Sequence, residues 1–357
     1  MQDKTSKRNM FCLLAIILIS TVPVTDLPVK LGQDIWISLL LSIIPVIPLL
    51  VIYSRLTALM PEKDIFQITQ EIFGKIGAGI AGFLFSFYFI FMAGFVIYNF
   101  TELIHLTALF KTPVIIIMII LLLAALYLAN SGIEAMSKWA YIMFTVMVIT
   151  IIGTGIASLN AMDMGNLLPV AENSFKDIIK GSYSLVSYPF GEAMIILIIF
   201  ASLKKENLKP FKISIFSTLM SLLLILILII RAITVLGPEL TDTSLFAVYK
   251  ATSVAKAGNY LQRIGAFIEF VYILAGMIKI GVYLFAGFRA VSSFIVLKNK
   301  KIILFSVGVL AVAVSFILFN NNLYIVDFYK IFALSAIPFQ IIIPVFLWIC
   351  AEIKVRR

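Results

Sequence analysis

Glu192 and Lys279 are the two residues of this sequence that most need a chemical explanation. Glu192 follows Gly191 in the middle of an apolar run, and Lys279 stands in Met277-Ile278-Lys279-Ile280. An ionisable side chain inside a membrane-length apolar segment is costly to keep there, and it marks a ligand or ion path by default. Glu192 could carry a proton or pair with a ligand amine; a structural pair with a nearby arginine or lysine is the competing role. Glu102, Glu269 and Arg231 lie towards one end of their runs, where a partner or snorkelling is explanation enough. Arg289 lies near the opposite end of its run and is expected to snorkel. Tyr98, Tyr188 and Tyr272 offer aromatic walls with a hydroxyl, suited to a small zwitterion, although ordinary helix packing uses the same rings. No nucleophile–histidine–acid set or metal-ligand spacing appears. One histidine, His105, cannot build a His-based metal site. Cys12 and Cys350 sit near the ends of separate segments and make no disulfide framework. No enzyme, metal or cofactor is expected.

The elements that must position these residues follow from composition. Of 357 residues, 62% are hydrophobic and 13% charged, with a mean hydropathy of +1.10. An ordinary soluble domain is roughly 45–50% apolar and 25% charged. A soluble enzyme, a nucleic-acid-binding module and a disordered tail are therefore excluded, and a polytopic membrane protein is indicated. Ten apolar runs cover 10–28, 34–54, 79–109, 112–131, 134–160, 183–203, 211–236, 262–297, 301–319 and 332–353. They are too apolar and mostly too long for barrel strands, which run to about ten residues with strict alternation. The expectation is an all-α membrane protein of ten transmembrane helices. The first run has no small-x-small site after it, so a cleaved signal is not expected.

The net charge of +10 would suggest a nucleic-acid partner in a soluble chain. Here it reads as topology. Lysine and arginine crowd the N-terminus, the 55–75 and 204–212 segments, 298–301 and the C-terminus. All of these fall on one side if both termini are cytoplasmic, as the positive-inside rule requires.

The loop lengths hide an inverted repeat. Residues 55–78 join spans 2 and 3, and residues 237–261 join spans 7 and 8. Ile65, Ile68, Ile72, Phe73 and Ile76 in the first, and Leu245, Val248 and Tyr249 in the second, fall at helical spacing, as in helices lying in the interface. The connections are equivalent if spans 1–5 (about 10–160) and 6–10 (about 183–353) are two halves of one transmembrane domain over 1–357. Each half opens on an interrupted span: Thr21-Val22-Pro23-Val24-Thr25-Asp26 in span 1 and Ser187-Tyr188-Pro189-Phe190-Gly191-Glu192 in span 6. Matched interruptions in two halves point to a transporter-type binding site, because unwound backbone must face a cavity or ligand. Prolines that merely kink two helices are the plainer reading. The ligand set expected from the breaks is Thr21, Val24, Thr25, Tyr188, Phe190, Gly191 and Glu192, with Tyr98 and Tyr272 as walls from spans 3 and 8. In sodium-coupled transporters of this architecture, spans 1 and 8 build a sodium site. The Lys279 ammonium could stand in for that ion, with Glu192 as a coupling group, or it could bridge helices.

Two motif matches carry no function. Gly77-Ala78-Gly79-Ile80-Ala81-Gly82 fits G-x-G-x-x-G without a preceding strand, so it reads as a close-packing signal. Asn99-Phe100-Thr101 fits a glycosylation acceptor but lies within span 3.

With these pieces in view, the chain resembles the spore germination permeases, the B subunits of nutrient germinant receptors of endospore-forming bacteria. The resemblance runs over essentially the whole chain. It rests on Tyr188-Pro189-Phe190-Gly191-Glu192; on Met60-Pro61 through Gln67, Glu71 and Gly74-Lys75; on Phe100-Thr101-Glu102-Leu103-Ile104 followed by Lys111-Thr112-Pro113; and on Arg263 opening span 8. Span 8 in that family often carries a tryptophan where this chain has Ala275-Gly276. The resemblance implies the amino acid–polyamine–organocation superfamily and its LeuT-type five-plus-five fold with broken helices 1 and 6. It also implies a nutrient sensor in the inner membrane of the spore, working with a larger membrane A subunit and a lipoprotein C subunit. Ligands in the family are amino acids, nucleosides or sugars; a proton-coupled amino-acid permease is the alternative.

Overall fold

The computed structural model describes residues 6–25, 30–202, 209–254, 261–320 and 331–356, and among them the chain is helices and their connections. We number the α-helices α1 (Lys7–Ile19), α2 (Ile35–Leu59), α3 (Ile65–Thr107), α4 (Val114–Ala157), α5 (Phe175–Ser187), α6 (Ile196–Ile199), α7 (Pro210–Leu236), α8 (Pro238–Thr243), α9 (Ala247–Val254), α10 (Leu261–Ser292), α11 (Lys300–Asn320) and α12 (Ile343–Arg356). Nine helical stretches among the described residues are long and apolar enough to cross a membrane.

One of the nine is two spans. α4 has 44 residues, about 66 Å if straight, against a hydrocarbon core of about 30 Å. Gly132 interrupts it at φ 82°, ψ 170°, a conformation open essentially to glycine alone. A Cβ placed on Gly281 of α10 would lie 3.2 Å from both Leu128 and Met136. In a straight helix those two residues stand about 12 Å apart, so the arms on either side of Gly132 fold back onto one point of α10. The sequence runs 112–131 and 134–160 are these two arms, and with α4 so divided the spans among the described residues number ten.

α3 starts with an interfacial segment. Asp64 and Gln67 form a reciprocal capping box, with Asp64 Oδ1 accepting from the Gln67 N–H at 2.8 Å. Gly74 breaks the helix at φ 73°. Ile65 and Ile68 are buried, whereas Phe73, just before the break, and Ile76, just after it, are exposed. In the second long connection, α8 and α9 replace a single short helix. Val248 is buried, and Leu245 is exposed in the turn between them.

α1 and α10 form the interior. α10 packs on α3 and α4, α1 on α7 and α4, and α2 on α5 and α7. Leucine, isoleucine and phenylalanine on the outer faces of α2, α4 and α11, such as Ile44, Leu123 and Phe305, stay exposed, as lipid-facing residues should. The Gly77–Gly82 stretch lies inside α3, where a Cβ on Gly82 would come within 2.6 Å of the Ala290 carbonyl; it is a close helix contact. Arg289 stays partly exposed and is also paired. Its Nε donates to Asp64 Oδ2 at 2.7 Å, tying the end of α10 to the cap of α3. Asp26 and the Arg263 side chain lie outside the described residues.

Candidate ligand site between two broken helices

Both predicted breaks are present. α1 ends at Ile19 and passes into a 3₁₀ turn, Val22–Val24. α5 ends at Ser187, and the chain resumes as a 3₁₀ segment, Phe190–Ile195, before α6. Proline explains both stops: Pro23 and Pro189 have no N–H to continue an α-helical ladder. The Ser187 carbonyl, freed by the second break, accepts from Gln340 Nε2 at 3.0 Å.

Lys279 of α10 bridges the breaks. Its Nζ donates to Glu192 Oε2 at 2.7 Å and to Thr21 Oγ1 at 2.8 Å, and both side chains of the ion pair are fully buried. The Tyr188 hydroxyl donates to the same Thr21 oxygen at 2.6 Å. The ammonium also lies 5.2 Å from the centre of the Tyr188 ring, within cation–π range. Glu192 Oε1 has no hydrogen-bond partner, although Tyr283 stands beside the carboxylate. A buried carboxylate oxygen left without a donor is costly; the Tyr283 hydroxyl is the donor that interacts with this carboxylate, and a proton or a ligand ammonium would compete with it.

The structure therefore gathers Thr21, Tyr188, Glu192 and Lys279. Val24, Thr25 and Phe190 are buried beside the breaks. The two predicted walls do not join the cluster by a hydrogen bond. Tyr98 donates to Glu102 and stacks on Phe95, whose ring meets Tyr188 edge-on at 5.8 Å; it backs Tyr188. Tyr272 lies beside Arg231 instead. Arg231 itself is only 1% exposed and is not snorkelling, because α8 and α9 cover that end of α7, with Thr241 Oγ1 donating to the Ala232 carbonyl at 3.2 Å. Glu269 has the structural role expected, accepting from Thr107 at 2.6 Å and Tyr249 at 3.2 Å.

Gln340 was not foreseen. It sits in a π-helical turn, Pro338–Ile342, before α12, and its Nε2 donates to the Tyr88 hydroxyl and the Ser187 carbonyl, each at 3.0 Å. Tyr53 donates to its backbone carbonyl. The signal was available: a single amide beside a proline in the apolar run 332–353. Gln340 also accounts for Gly191. The backbone there is not left-handed; a Cβ would lie 2.1 Å from Gln340 Oε1, so Gly191 is needed for close approach. At Gly276 a Cβ would lie 2.0 Å from the Phe100 ring. Phe100 fills that volume from the opposite helix.

The site is closed in this conformation, with Thr21, Tyr188, Glu192 and Lys279 each no more than 2% exposed. A cavity of about 450 Å³ opens elsewhere, between α2 and α7, lined by Val51, Ser54, Arg55, Ala58, Pro210 and Lys212 among others.

The model of a family described as Spore germination protein matches residues 4–323. Spore germination protein KB of Bacillus subtilis (strain 168) is 25% identical over 99% of this chain and 96% of its own length. The putative spore germination protein YfkT of the same organism is 24% identical over 90% of this chain and 88% of its own. Two solved structures share the fold. MhsT in complex with L-phenylalanine matches at TM-score 0.64, with 13% identity, over 98% of this chain and 100% of its own. The nucleobase-cation-symport transporter Mhp1, closed with bromovinylhydantoin bound, matches at 0.69, with 14% identity, over 95% and 76%.

Proposed function

Because the chain belongs to the spore germination protein family and folds as a LeuT-type transporter, we propose that it is the B subunit of a nutrient germinant receptor. It binds a small nutrient, an amino acid first among candidates, between the breaks of spans 1 and 6, and relays that event to germination. The observation that carries this reading is the Lys279–Glu192–Thr21 bridge. One side chain ties both interrupted helices to α10, and a ligand amine that displaced it from Glu192 would release them together. That MhsT holds L-phenylalanine supports an amino acid as the first ligand to test. The Lys279 ammonium occupies the place of a cation against span 1, so recognition proceeds without sodium.

In this reading the ten spans form two inverted repeats, about 10–160 and 183–353, in the inner membrane of the spore, with both termini on the core side. The tilting of span 6 about Pro189-Phe190-Gly191 is read by the A subunit and the lipoprotein C subunit. The test is the melting temperature of the purified chain against single amino acids, nucleosides and sugars, with sodium replaced by choline at constant ionic strength. A nutrient that raises it equally in both salts supports the reading; a sodium requirement, or no response to any of the three classes, refutes it. The vacant Oε1 of Glu192 favours one second reading, a proton-coupled amino-acid permease. Uptake of the stabilising nutrient into proteoliposomes on a proton gradient separates the two.

A further inference from the structure

Arg231 carries a buried positive charge that the protein does not neutralise. It is 1% exposed, and among the described residues no carboxylate pairs with it. Its Nη1 donates to Thr154 Oγ1 at 2.5 Å. Among the described residues its Nε and Nη2 have no acceptor within hydrogen-bond distance; the Tyr272 hydroxyl is the polar group that interacts with the guanidinium. An unpaired buried ion costs several kcal/mol, and intramembrane arginines ordinarily find a partner.

The pattern of the vacancy says what is missing. Nε–H and Nη2–H lie on the same edge of the guanidinium, and their parallel bonds match the two oxygens of a carboxylate. Thr154 takes the other side of the group. The Tyr272 hydroxyl lies beside the guanidinium and is likewise buried without a partner. It supplies a third donor for the same anion.

The position connects this edge to the bridge. Tyr272 stands seven residues before Lys279 on α10, two turns along the same face and about 10 Å away. On α7, Ser217 reaches the Phe11 carbonyl and Ser221 the Ala15 carbonyl, so α7 and α1 run in parallel. That direction puts the Arg231 end of α7 past the break that follows Ile19, and α9 packs on both α7 and the Val22–Val24 turn. Arg231 and Tyr272 thus lie directly past the broken end of span 1, away from the Arg289 end of α10.

We propose that Arg231 and Tyr272 form a carboxylate-binding subsite, and that it takes the carboxylate end of the nutrient. The nutrient half of this statement rests on the ligand reading above; the subsite does not.

The experiment therefore uses two kinds of probe on the purified full chain. The first is acetate against chloride and gluconate at fixed ionic strength, read as a melting-temperature shift. Acetate is expected to stabilise the wild type and not Arg231→Gln, with Tyr272→Phe intermediate. Equal stabilisation by chloride would make this a general anion site and overturn the assignment, as would an undiminished acetate response in Arg231→Gln. Tyr272→Phe removes one oxygen only and keeps the test valid if Arg231→Gln misfolds: a full wild-type acetate response in Tyr272→Phe then counts against the subsite. The second probe is each L-amino acid against its own amide. The stabilising amino acid is expected to lose at least about 30-fold in affinity as its amide or on Arg231→Lys, which keeps the charge without the fork. Equal binding of acid and amide overturns the carboxylate claim while leaving the nutrient pocket standing. An acetate response with no nutrient response supports the subsite and removes the receptor reading.

Discussion

Lys279→Met should be among the most destabilising single changes in this protein, and combining it with Glu192→Gln should reverse most of the damage. Lys279 and Glu192 are both fully buried and 2.7 Å apart. Removing one member of such a pair leaves a bare charge in a dry interior and costs about 3–5 kcal/mol. Lys279→Met also takes a donor from Thr21, and leaves Glu192 with neither oxygen bound to the ammonium. Glu192→Gln keeps an acceptor for the ammonium and should fall at the lower end of that range. The double variant buries no charge, and replacing a whole buried pair by uncharged groups is often close to neutral; its loss should be under about 2 kcal/mol. The cycle then yields a coupling of about 4 kcal/mol or more, above the usual range for contacting residues of about 0.5–3 kcal/mol. Unfolding in mixed micelles with increasing SDS, followed by the fluorescence of Trp36, Trp139 and Trp348, gives all four corners. Additive losses, with the double variant as weak as the sum of the singles, would show that the two charges are not coupled and would remove the basis for the bridge.

Three further outcomes follow from close approaches and backbone geometry. Gly191→Ala should shift the nutrient concentration for germination at least tenfold, because its Cβ would lie 2.1 Å from Gln340 Oε1; adding Gln340→Ala should restore part of the response, and an unshifted dose response at normal receptor level would refute the contact. Gly132→Ala should cost about 1–3 kcal/mol in SDS unfolding from backbone strain alone, since nothing lies within 4 Å of a Cβ there; a loss under about 0.5 kcal/mol would contradict the folded-back α4. Gly276→Leu should destabilise by about 1–3 kcal/mol through overpacking against Phe100, and Phe100→Ala should relieve it; if it does not, the two residues do not share that volume.

The ten spans were legible because lipid demands runs of about 20 apolar residues, and the breaks because proline cannot continue a helix. The direction of Lys279 was not legible. α10 is buried on nearly every side, between α3, α4 and α11, so its apolar residues carry no one-sided period that would fix a face. The partners of Arg231 and Arg289, Thr154 and Asp64, were not legible for a related reason. Distance from the end of a run predicts snorkelling only if the end is open to water. The short helices α8 and α9 close one such end, and the cap at Asp64 meets the other. Gln340 escaped notice because its partners, Tyr88 and Ser187, lie about 250 and 150 residues away in sequence, and no local pattern announces such a contact.

The bridge and the vacant guanidinium edge make unequal demands on a ligand, and the difference bears on sensing against transport. A ligand can move a two-state protein only by its differential affinity for the states; a shift from 1:99 to 99:1 takes about 5.5 kcal/mol. An amine that displaces Lys279 from Glu192 exchanges one ion pair for another, and the released ammonium must find a new acceptor, so that step alone contributes little. Among the described residues only the Tyr272 hydroxyl interacts with that edge of the guanidinium, so a carboxylate arriving at Arg231 displaces no charged protein partner there. Its two charge-assisted hydrogen bonds, at about 1.5–3 kcal/mol each, would supply most of the difference required. A permease gains from near-equal exchange, since tight occupancy would arrest its cycle. A receptor gains from a contact made only in the triggered state. Simple amines without a carboxylate should therefore compete for the closed site yet fail to trigger germination, and an amine that triggers as well as the amino acid would place the driving contact somewhere other than Arg231.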